Sequence, residues 1–333
     1  MPITSHPMFH DPAYPSSEHL SPPQIDGVTA FNRRIADGTH SFVEQPCLCA
    51  STDAVAVATY DRYRVWQPVV LCRKCGLMSC RPRMSDETIA WFYSSDFYRE
   101  LYNDGILPHT QDKFLAIAHR GARSRDTIRE RCDYAAVQSV AEIGCGAGWN
   151  LYAYHQDGRR VKGTDYSPAL TEAGRAMGLD IGTRPLKPET DGHFDLVILS
   201  HVVEHVPDPA TMIREARDLM APDGLLYIEV PDGRTICQGL FQNAHLWYFA
   251  PEHLLKIAAK QGLAPRYVGA RDIETFFMIL SRSDAPPFPD ESRVYQDMYS
   301  RIVAHDRRLK LKDALQGAGV LGLARKLKRI IGR

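Results

Sequence analysis

Apolar runs alternate with stretches of helical spacing along the chain from residue 138 onward. Four short runs have the composition of buried strands, namely "SVAEIG", "RVKGTDYS", "FDLVILS" and "GLLYIEVP". Helical spacing separates them, most clearly near residues 168–177, 209–220 and 251–262. Two later runs, "APRYVGA" and "TFFMILSRS", are close enough to form a hairpin. The pattern predicts an α/β domain whose parallel sheet is covered by helices on both faces and ends in an antiparallel pair.

The rest of the chain divides around this domain. Residues 1–40 are rich in Pro, Ser and His with little periodicity and predict a poorly ordered arm. Residues 41–84 hold β-type runs between two cysteine pairs and predict a small zinc-binding module. Residues 85–135 have helical periodicity and predict a helical linker or cap, followed by the α/β domain at 136–283. We expect a helical basic tail at 284–333.

Length and charge narrow the class of protein. The 333 residues are 44% apolar, and forty basic residues cancel forty acidic ones. A full core can therefore be buried, and no net field attracts nucleic acid, so we expect no nucleic-acid partner. The sequence shows no basic start followed by an apolar run and no eighteen-residue apolar stretch, which predicts a cytoplasmic protein.

A local positive charge is concentrated in the tail. From Arg301 to Arg333 there are ten Lys or Arg residues and two acids, Asp306 and Asp313. Apolar residues follow helical spacing between the basic ones, at Val320, Leu323, Leu327, Ile330 and Ile331. We favour a solvated or self-packed helix, and the alternative is a peripheral helix on the anionic inner face of a membrane.

A glycine-rich turn joins the first strand of the α/β domain to the next helix. "VAEIGCGAG" places Gly144, Gly146 and Gly148 where backbone N–H groups can approach a charged ligand and the helix N-terminus favours its carboxylate. A dinucleotide fingerprint would need glycine at position 149, which is Trp149. The spacing therefore disfavours NAD as the ligand.

Four segments resemble, in order, the motifs of a known family: "EIGCGAG", "VKGTDYS", "FDLVILSHVVEHVPDP" and "LMAPDGLLYIEVP". Over about residues 138–280 the chain resembles class I S-adenosylmethionine-dependent methyltransferases and is methyltransferase-23-like. The resemblance implies a Rossmann-like, seven-stranded sheet with strand order 3-2-1-4-5-7-6. It also implies that S-adenosylmethionine is the cofactor.

The same resemblance points to the residues that hold the cofactor. Glu142 is expected near the amino group, and Asp165, at the end of the second strand, is expected to accept both ribose hydroxyl protons. The predicted cofactor-binding residues are Glu142, Gly144, Cys145, Gly146, Gly148, Asp165, Tyr166, Ser200 and His201. The acidic or amide residue that commonly meets adenine has no clear counterpart after the third strand, so Leu186 or a neighbour is expected to pack on the ring.

Two histidines are candidate catalytic residues, because a hydroxyl or carbon acid must lose a proton before it is methylated. His201 follows the fourth strand and is expected to face the cleft. His205 lies four residues later, a spacing that can bind metal. The Glu204-His205 pair resembles a structural, cofactor-side element of the family, so we expect packing and hydrogen bonding from it.

His245 is the second candidate, followed by the aromatic residues of "LWYFAPEHL". Methyltransferases with an N-terminal zinc-binding module, including sugar C-methyltransferases, resemble this chain in a histidine before "Y-F" that looks like the general base. Those sugar enzymes tend to have a glutamate before the histidine and a tyrosine upstream, where this chain has Ala244 and Gln242. Carbon methylation of a keto-sugar is therefore in question, whereas O-methylation stays open.

The cysteines of the second segment form two close pairs. Cys47-x-Cys49 and Cys72-x-x-Cys75, with Gly76 next, have the shape of a four-thiolate zinc site. The first pair is one residue shorter than the commoner spacing, so Cys80 is an alternative ligand. Four thiolates leave no open position on the metal, and we expect the zinc to be structural.

Three functions remain in contention. The leading hypothesis is a methyltransferase for a hydroxyl or carbon of a sugar, nucleotide-linked or in a surface glycan, acting by base-assisted transfer. An alternative enzyme methylates a lipid, quinone or natural product. A hypothesis of another class is a zinc-ribbon nucleic-acid-binding protein whose methyltransferase-like domain is inert.

Overall fold

The structure is a computed structural model that describes residues 1–102 and 111–317. The α-helices in these residues are α1 Pro7–His10, α2 Pro22–Ala36, α3 Asp86–Ser94, α4 Asp96–Tyr102, α5 Gln111–Arg131, α6 Trp149–Gln156, α7 Pro168–Ala176, α8 Pro188–Asp191, α9 Pro209–Asp218, α10 Pro251–Lys260 and α11 Val294–Gly317. The strands are β1 Phe42–Val43, β2 Ala54–Tyr60, β3 Trp66–Cys72, β4 Met78–Cys80, β5 Arg83–Met84, β6 Ser139–Ile143, β7 Arg160–Thr164, β8 Ile181–Gly182, β9 Phe194–Ser200, β10 Met220–Pro231, β11 Trp247–Tyr248, β12 Leu263–Ala270 and β13 Thr275–Arg282. Short 3₁₀ turns lie at Val203–His205 and Gln238–Leu240.

The described residues form two compact units. The first combines Met1–Ala90, Gly233–His245 and the described part of the chain from Glu291 onward. The second combines the described residues of Trp91–Asp232 with Leu246–Asp290. Each unit is thus built from separate stretches of chain, in contrast to the five consecutive segments that we predicted.

The second unit contains the predicted sheet. Within residues 139–282, seven strands lie in the spatial order β12, β13, β10, β9, β6, β7, β8. Strand β6 pairs in parallel with β7 and β9, while β13 pairs antiparallel with both β10 and β12. Counted from β6 as the first strand, this is the order 3-2-1-4-5-7-6, and the predicted fold class is confirmed. Buried side chains on both faces of β9 and β13 explain why helices must cover the sheet.

Local sequence signals start the helices of this unit. Pro168 and Pro209 occupy the first turns of α7 and α9, where a missing N–H costs nothing. Asp208 caps α9 by accepting hydrogen bonds from the N–H groups of Ala210 and Thr211, both at 3.1 Å. These signals are visible in the sequence, and the helices begin where they indicate.

Helix α5 is part of the core of the second unit, although we assigned it to a linker or cap. Phe114 and Ile128 of α5 are buried in the same cluster as Val140 of β6 and Leu151 of α6. Gly121 permits this packing, since a Cβ at that position would lie 2.4 Å from the carbonyl oxygen of Trp149. The helix packs through an apolar stripe that an isolated linker would not need.

The first unit orders the segment that we expected to be a poorly ordered arm. Its strands β2, β3 and β4 pair antiparallel, and the N–H of Ile3 donates to the carbonyl of Ala56 at 2.9 Å. Phe9 of α1 is 1% exposed and makes edge contacts with the rings of Phe241 and His305, each with centroids 6.1 Å apart. Two of these partners lie more than 200 residues away, so local composition gave no indication of them.

The predicted basic tail is described only in part. Helix α11 covers its first half, and the apolar residues Val320, Leu323, Leu327, Ile330 and Ile331 lie outside the described residues. Among the helices of residues 1–102 and 111–317, none combines the length and apolar character needed to span a bilayer. Membrane contact by the tail stays a prediction.

Candidate active site

The glycine loop lies at the end of β6 and leads into α6. Gly144, Gly146 and Gly148 have φ angles of 70°, 56° and 79°, a region that only glycine adopts readily. The N–H groups of Gly144 and Cys145 donate to the carbonyl of Thr164, at 2.8 and 3.0 Å. The loop is thus tied to the end of β7, beside the next predicted cofactor residue.

Neighbouring side chains approach each glycine closely. A Cβ on Gly146 would lie 2.8 Å from the ring of Trp149, and one on Gly148 would lie 2.5 Å from Leu179. Trp149 therefore stands at the start of α6 with its ring against the loop, where a dinucleotide-binding turn would need a glycine. The geometry agrees with the sequence argument against NAD.

Glu142 lies in β6 with its carboxyl group buried. Its Oε1 accepts a hydrogen bond from Asn150 Nδ2 at 2.6 Å, while Oε2 has no hydrogen-bond partner among the described residues. Burial raises the pKa of Glu142 to about 8, and the carboxylates of Asp165 and Glu229 add to the increase. A buried acceptor without a partner is the kind of atom that a bound ammonium group satisfies.

Asp165 follows β7. Its carboxylate holds the glycine loop by a hydrogen bond and still has lone pairs with which to accept hydrogen bonds from a ligand. Its Oδ2 accepts from the N–H of Gly146 and its Oδ1 from the N–H of Ser167, both at 2.8 Å. Each carboxylate oxygen has a second lone pair, so the group can still accept two hydroxyl protons. The adjacent Tyr166 side chain is 90% exposed.

His201 follows Ser200, the last residue of β9, in a strained backbone conformation with φ at 55°. Its half-exposed imidazole lies 3.4 Å from Glu204 Oε1 through Nδ1 and 3.6 Å from Glu229 Oε1 through Nε2. Loss of hydration would lower the pKa of His201, but the two carboxylates raise it to about 10. At neutral pH this group is an imidazolium, which donates hydrogen bonds and does not accept a proton.

Glu229 belongs to a polar cluster that the sequence argument missed. It ion-pairs with Arg271 at 2.9 Å and accepts a hydrogen bond from the hydroxyl of Tyr227. Burial opposes ionisation, but His201, Arg271 and Tyr227 together lower the pKa of Glu229 to about 2. The available signal was a charged residue inside the apolar run "GLLYIEVP".

Glu204 and His205 have neighbours within the second unit, and their expected structural role stays a prediction. Glu204 is 1% exposed, and its carbonyl accepts from the N–H of Leu246 at 2.9 Å. Tyr93 Oη lies 3.3 Å from His205 Nδ1. All of these residues belong to the second unit, together with the glycine loop, Asp165 and His201.

His245 belongs to the first unit, unlike the predicted cofactor residues. Its side chain is 5% exposed, and its Nε2 contacts the amide nitrogen of the Gln242 side chain. Its backbone carbonyl accepts hydrogen bonds from Gln67 Nε2 and Cys80 Sγ, each at 2.9 Å. The general-base role of His245 stays a prediction.

The four cysteines of the first unit come together. Cys47 Sγ lies 3.5 Å from Cys75 Sγ, and Cys49 Sγ lies 3.6 Å from Cys72 Sγ. All four sulfur atoms are within 4.8 Å of one another, and none forms a disulfide. Cys80 is not a member of this cluster, since its sulfur donates to the carbonyl of His245.

Comparison with known proteins gives matches to methyltransferases over part of the chain. Residues 113–268 match a family model described as a methyltransferase domain. The chain is 31% identical over 140 residues to the ubiquinone biosynthesis O-methyltransferase of Xanthomonas oryzae pv. oryzae (35% of this chain, 58% of the relative). It is 26% identical over 147 residues to the enzyme of that name from Yersinia enterocolitica, covering 40% of this chain and 57% of the relative. The chain thus spans less than two thirds of these relatives.

Among solved structures, the Burkholderia thailandensis 1,6-didemethyltoxoflavin-N1-methyltransferase is similar, with a TM-score of 0.46 and 19% identity. The match covers 66% of this chain and 96% of that one. The family match begins in α5, which agrees with the packing of that helix in the core. Residues 113–268 thus match a methyltransferase domain family, and the strand order of their sheet is that of the class I fold.

Proposed function

We propose that the protein is an S-adenosylmethionine-dependent O-methyltransferase that acts on a hydroxyl of a quinone-type or related aromatic acceptor. The observation that carries the activity is the cofactor loop of the methyltransferase domain, with the unpaired, buried Oε2 of Glu142 at its base. The acceptor class is supported by the named activity of the relatives, which is the O-methylation step of ubiquinone biosynthesis.

The residues present fit the cofactor. Glu142 offers its unpaired oxygen to the ammonium group, and Asp165 has lone pairs left for the ribose hydroxyls. The glycine loop lets the backbone approach the ligand. The other residues of the proposed cofactor site are Cys145, Gly144, Gly146, Gly148, Tyr166, Ser200 and His201.

The remaining chemistry is alignment and proton removal, because the bound cofactor supplies an activated methyl group on a sulfonium. A phenolic hydroxyl has a pKa of about 10 and must lose its proton as it attacks. We assign that proton to the imidazole of His245. When bound, the cofactor would supply the methyl group to that oxygen and would itself be left as a neutral thioether.

His201 has a different task in this scheme. An imidazolium held by Glu204 and Glu229 cannot serve as base at neutral pH, so we withdraw that role from it. Both of its N–H groups face these two carboxylates, so they are not available to an acceptor oxygen. His201 therefore stays in the proposed cofactor site as a residue that orders the carboxylates of Glu204 and Glu229.

Sugar methylation, our leading hypothesis from the sequence, is the less supported acceptor class. It rested on the resemblance of the cysteine module and the histidine before "Y-F" to sugar C-methyltransferases. The departures at Ala244 and Gln242 already weakened that link. The named relatives favour an aromatic hydroxyl.

We further propose that the cysteine cluster holds a structural zinc ion. Zinc bound tetrahedrally by thiolates at about 2.3 Å separates the sulfur atoms by about 3.8 Å. The distances of 3.5 Å between Cys47 and Cys75 and 3.6 Å between Cys49 and Cys72 are close to that value. Four sulfur ligands leave no position for water or substrate.

A methyl-transfer assay tests the activity and the acceptor together. The protein is incubated with methyl-labelled S-adenosylmethionine and, in parallel, with catechol, hydroquinone and a set of nucleotide-linked sugars. We expect label in the phenols as methyl ethers. Label only in sugars would overturn the acceptor class, and absence of cofactor binding by calorimetry would overturn the activity.

Replacement of the proposed base is the second test. His245→Ala should lower turnover by about 10²–10⁴-fold while cofactor affinity stays within about twofold. The matched control is His119→Ala, which removes an exposed histidine on α5 and should change neither quantity. Full turnover by His245→Ala would show that another group takes the proton.

A further inference from the structure

The segment that carries His245 has little regular structure of its own. Residues 233–245, all of which the structure describes, contain one short 3₁₀ turn at Gln238–Leu240. Such a segment makes no ladder of backbone hydrogen bonds, so its conformation depends on the groups that its carbonyl and N–H groups meet. In this protein those groups come from strands β3 and β4 and from the loop between β2 and β3 of the first unit.

Gln67 makes the most direct of these contacts. It lies in β3 and is 3% exposed. Its side-chain nitrogen Nε2 donates to the carbonyl of Gln242 and to the carbonyl of His245, each at 2.9 Å. One amide group therefore binds both ends of a four-residue turn.

The turn closes on itself through the same atoms. The N–H of His245 donates to the carbonyl of Gln242 at 2.9 Å, and the side-chain nitrogen of Gln242 contacts His245 Nε2. The imidazole is thus held by a residue whose backbone Gln67 fixes. Displacement of the turn would move the ring and its neighbour together.

The direction of the Gln67 amide is set by chemistry. Both groups that it meets on the turn are carbonyl oxygens, which only accept hydrogen bonds. The nitrogen must therefore face the turn, and a side chain without N–H donors would leave two buried carbonyls without this partner.

Two adjacent residues of the loop between β2 and β3 also bind this segment. Asp61, 1% exposed, accepts from the N–H of Asn243 at 2.9 Å. Arg62 donates from its N–H to the carbonyl of Phe241 at 2.9 Å and from Nη1 to the carbonyl of Gly239 at 3.1 Å. Gln67 and Cys80 are the residues of this unit's strands that bind the His245 carbonyl, and only Gln67 of the two also binds the Gln242 carbonyl.

We propose that Gln67 is a positioning residue for methyl transfer, which holds the turn Gln242–His245 so that the His245 imidazole keeps one orientation. The inference rests on the proposed function of His245 as base. Gln67 itself touches neither acceptor nor cofactor in this scheme.

The test compares two glutamine variants of the full-length, zinc-loaded protein. Gln67→Met has nearly the same length but no N–H donors. The control, Gln45→Met, removes an amide of the same unit whose Oε1 accepts from Arg83 Nε at 2.7 Å, away from the turn. Hydrogen exchange of the amides of residues 239–245 is measured together with kcat, the KM for S-adenosylmethionine and cofactor affinity, with catechol as acceptor.

We expect Gln67→Met to speed exchange in residues 239–245 and to lower kcat, each by about tenfold or more, with the KM for the cofactor unchanged. The control should change none of these. A purely structural defect would instead lower the zinc content and the unfolding temperature of the first unit as well. If Gln67→Met does not fold, Gln67→Asn, which keeps the amide but shortens its reach, should show the same pattern.

The two proposals fail in different ways. Unchanged exchange and kcat in folded Gln67→Met overturn the positioning role, whatever His245 does. Full turnover by His245→Ala overturns the base, and with it the positioning role, even if exchange in the turn rises. Because hydrogen exchange needs no acceptor, the hold of Gln67 on the turn is measured even if catechol is not methylated.

Discussion

Glu142 carries a proton or a charge depending on what lies against its Oε2. Folding raises the pKa of Glu142 from its ordinary value of 4.5 to about 8, so the free protein holds a neutral carboxyl group at pH 7. An ammonium group beside it would favour the carboxylate. Cofactor binding is therefore coupled to loss of the Glu142 proton.

This coupling predicts the pH dependence of cofactor affinity. Below about pH 7.5, affinity should rise by about tenfold per pH unit, and it should reach a maximum near pH 8, because an α-amino group loses its own proton at about 7.7–8.0. Glu142→Gln should abolish the rising limb. Calorimetry at pH 6 to 9 in two buffers measures both the affinity and the proton released; a flat affinity from pH 6 to 8 in the unaltered protein contradicts the prediction.

The raised pKa of His201 predicts that folding stability falls as the pH rises, whereas cofactor affinity is expected to increase towards pH 8. Folding raises the pKa of His201 above the ordinary 6.5 to about 10, so its ion pairs with Glu204 and Glu229 contribute fully below pH 6.5 and are lost as the pH rises through 10. Since the side chain is half exposed, His201→Gln should cost about 0.5–1 kcal/mol near pH 6 and nothing near pH 10.5. Urea unfolding at the two pH values checks this, and an equal cost at both would refute it.

The sequence predicted site residues that lie in contiguous motifs. It did not predict residues that come together only in the folded structure. Glu142 and Asp165 follow directly from their strands and the glycine loop. Arg271, which ion-pairs with Glu229 at 2.9 Å, is 42 residues away in sequence and comes after a different strand. Only the register of the β10–β13 and β12–β13 pairs brings the two together.

At the level of helices and strands, the close packing of α5 against α6 depends on a glycine, Gly121, at the point of contact. A Cβ on Gly121 would meet the backbone of Trp149 at 2.4 Å, which cannot move independently of α6. Gly121→Ala should therefore destabilise the second unit by about 1–3 kcal/mol, since the helices must separate.

The control for that crossing is Gly182→Ala in β8. Nothing lies within 4 Å of a Cβ at Gly182, and its φ is not positive, so the change should stay within about 0.5 kcal/mol. Denaturant unfolding of both variants gives the comparison. Equal stability of Gly121→Ala and Gly182→Ala would mean that the helices adjust at no cost.

Elements with local signals were predicted well, and those stabilised from a distance were not. Helices α7 and α9 begin at proline residues preceded by a capping serine or aspartate, and both signals are local. Helix α2 also has Pro22 in its first turn, yet Phe31 is buried by contacts that the sequence does not reveal. The same reasoning therefore missed the order of residues 1–40.

For the whole molecule, the two units should respond to different ligands. Zinc chelation should lower the unfolding temperature of the first unit only, since all four cysteines of the cluster lie there. S-adenosylmethionine at 100 times its Kd should stabilise the second unit by about 2.7 kcal/mol. Calorimetry with chelator or cofactor resolves the two transitions; a shift of both by either ligand would contradict this assignment.

Domain boundaries were the least predictable property at this scale. The sequence divides into consecutive segments, but contacts such as Phe9 with Phe241 and with His305 join three separate stretches into one unit. Gly76 also packs against a distant stretch of the chain, because a Cβ at this position would lie 2.7 Å from the backbone of Tyr295. No periodicity within either segment encodes such a contact.

The discontinuous first unit has a consequence for synthesis. Met298 and Ile302 of α11 are fully buried in it, as is Phe9 of α1, yet the ribosome makes them roughly 290 residues apart. At about 5–20 residues per second, the cysteine pairs and their sheet wait roughly ten to forty seconds for α11 to arrive. During that interval their apolar surface is available to chaperones, and the methyltransferase sheet can close first.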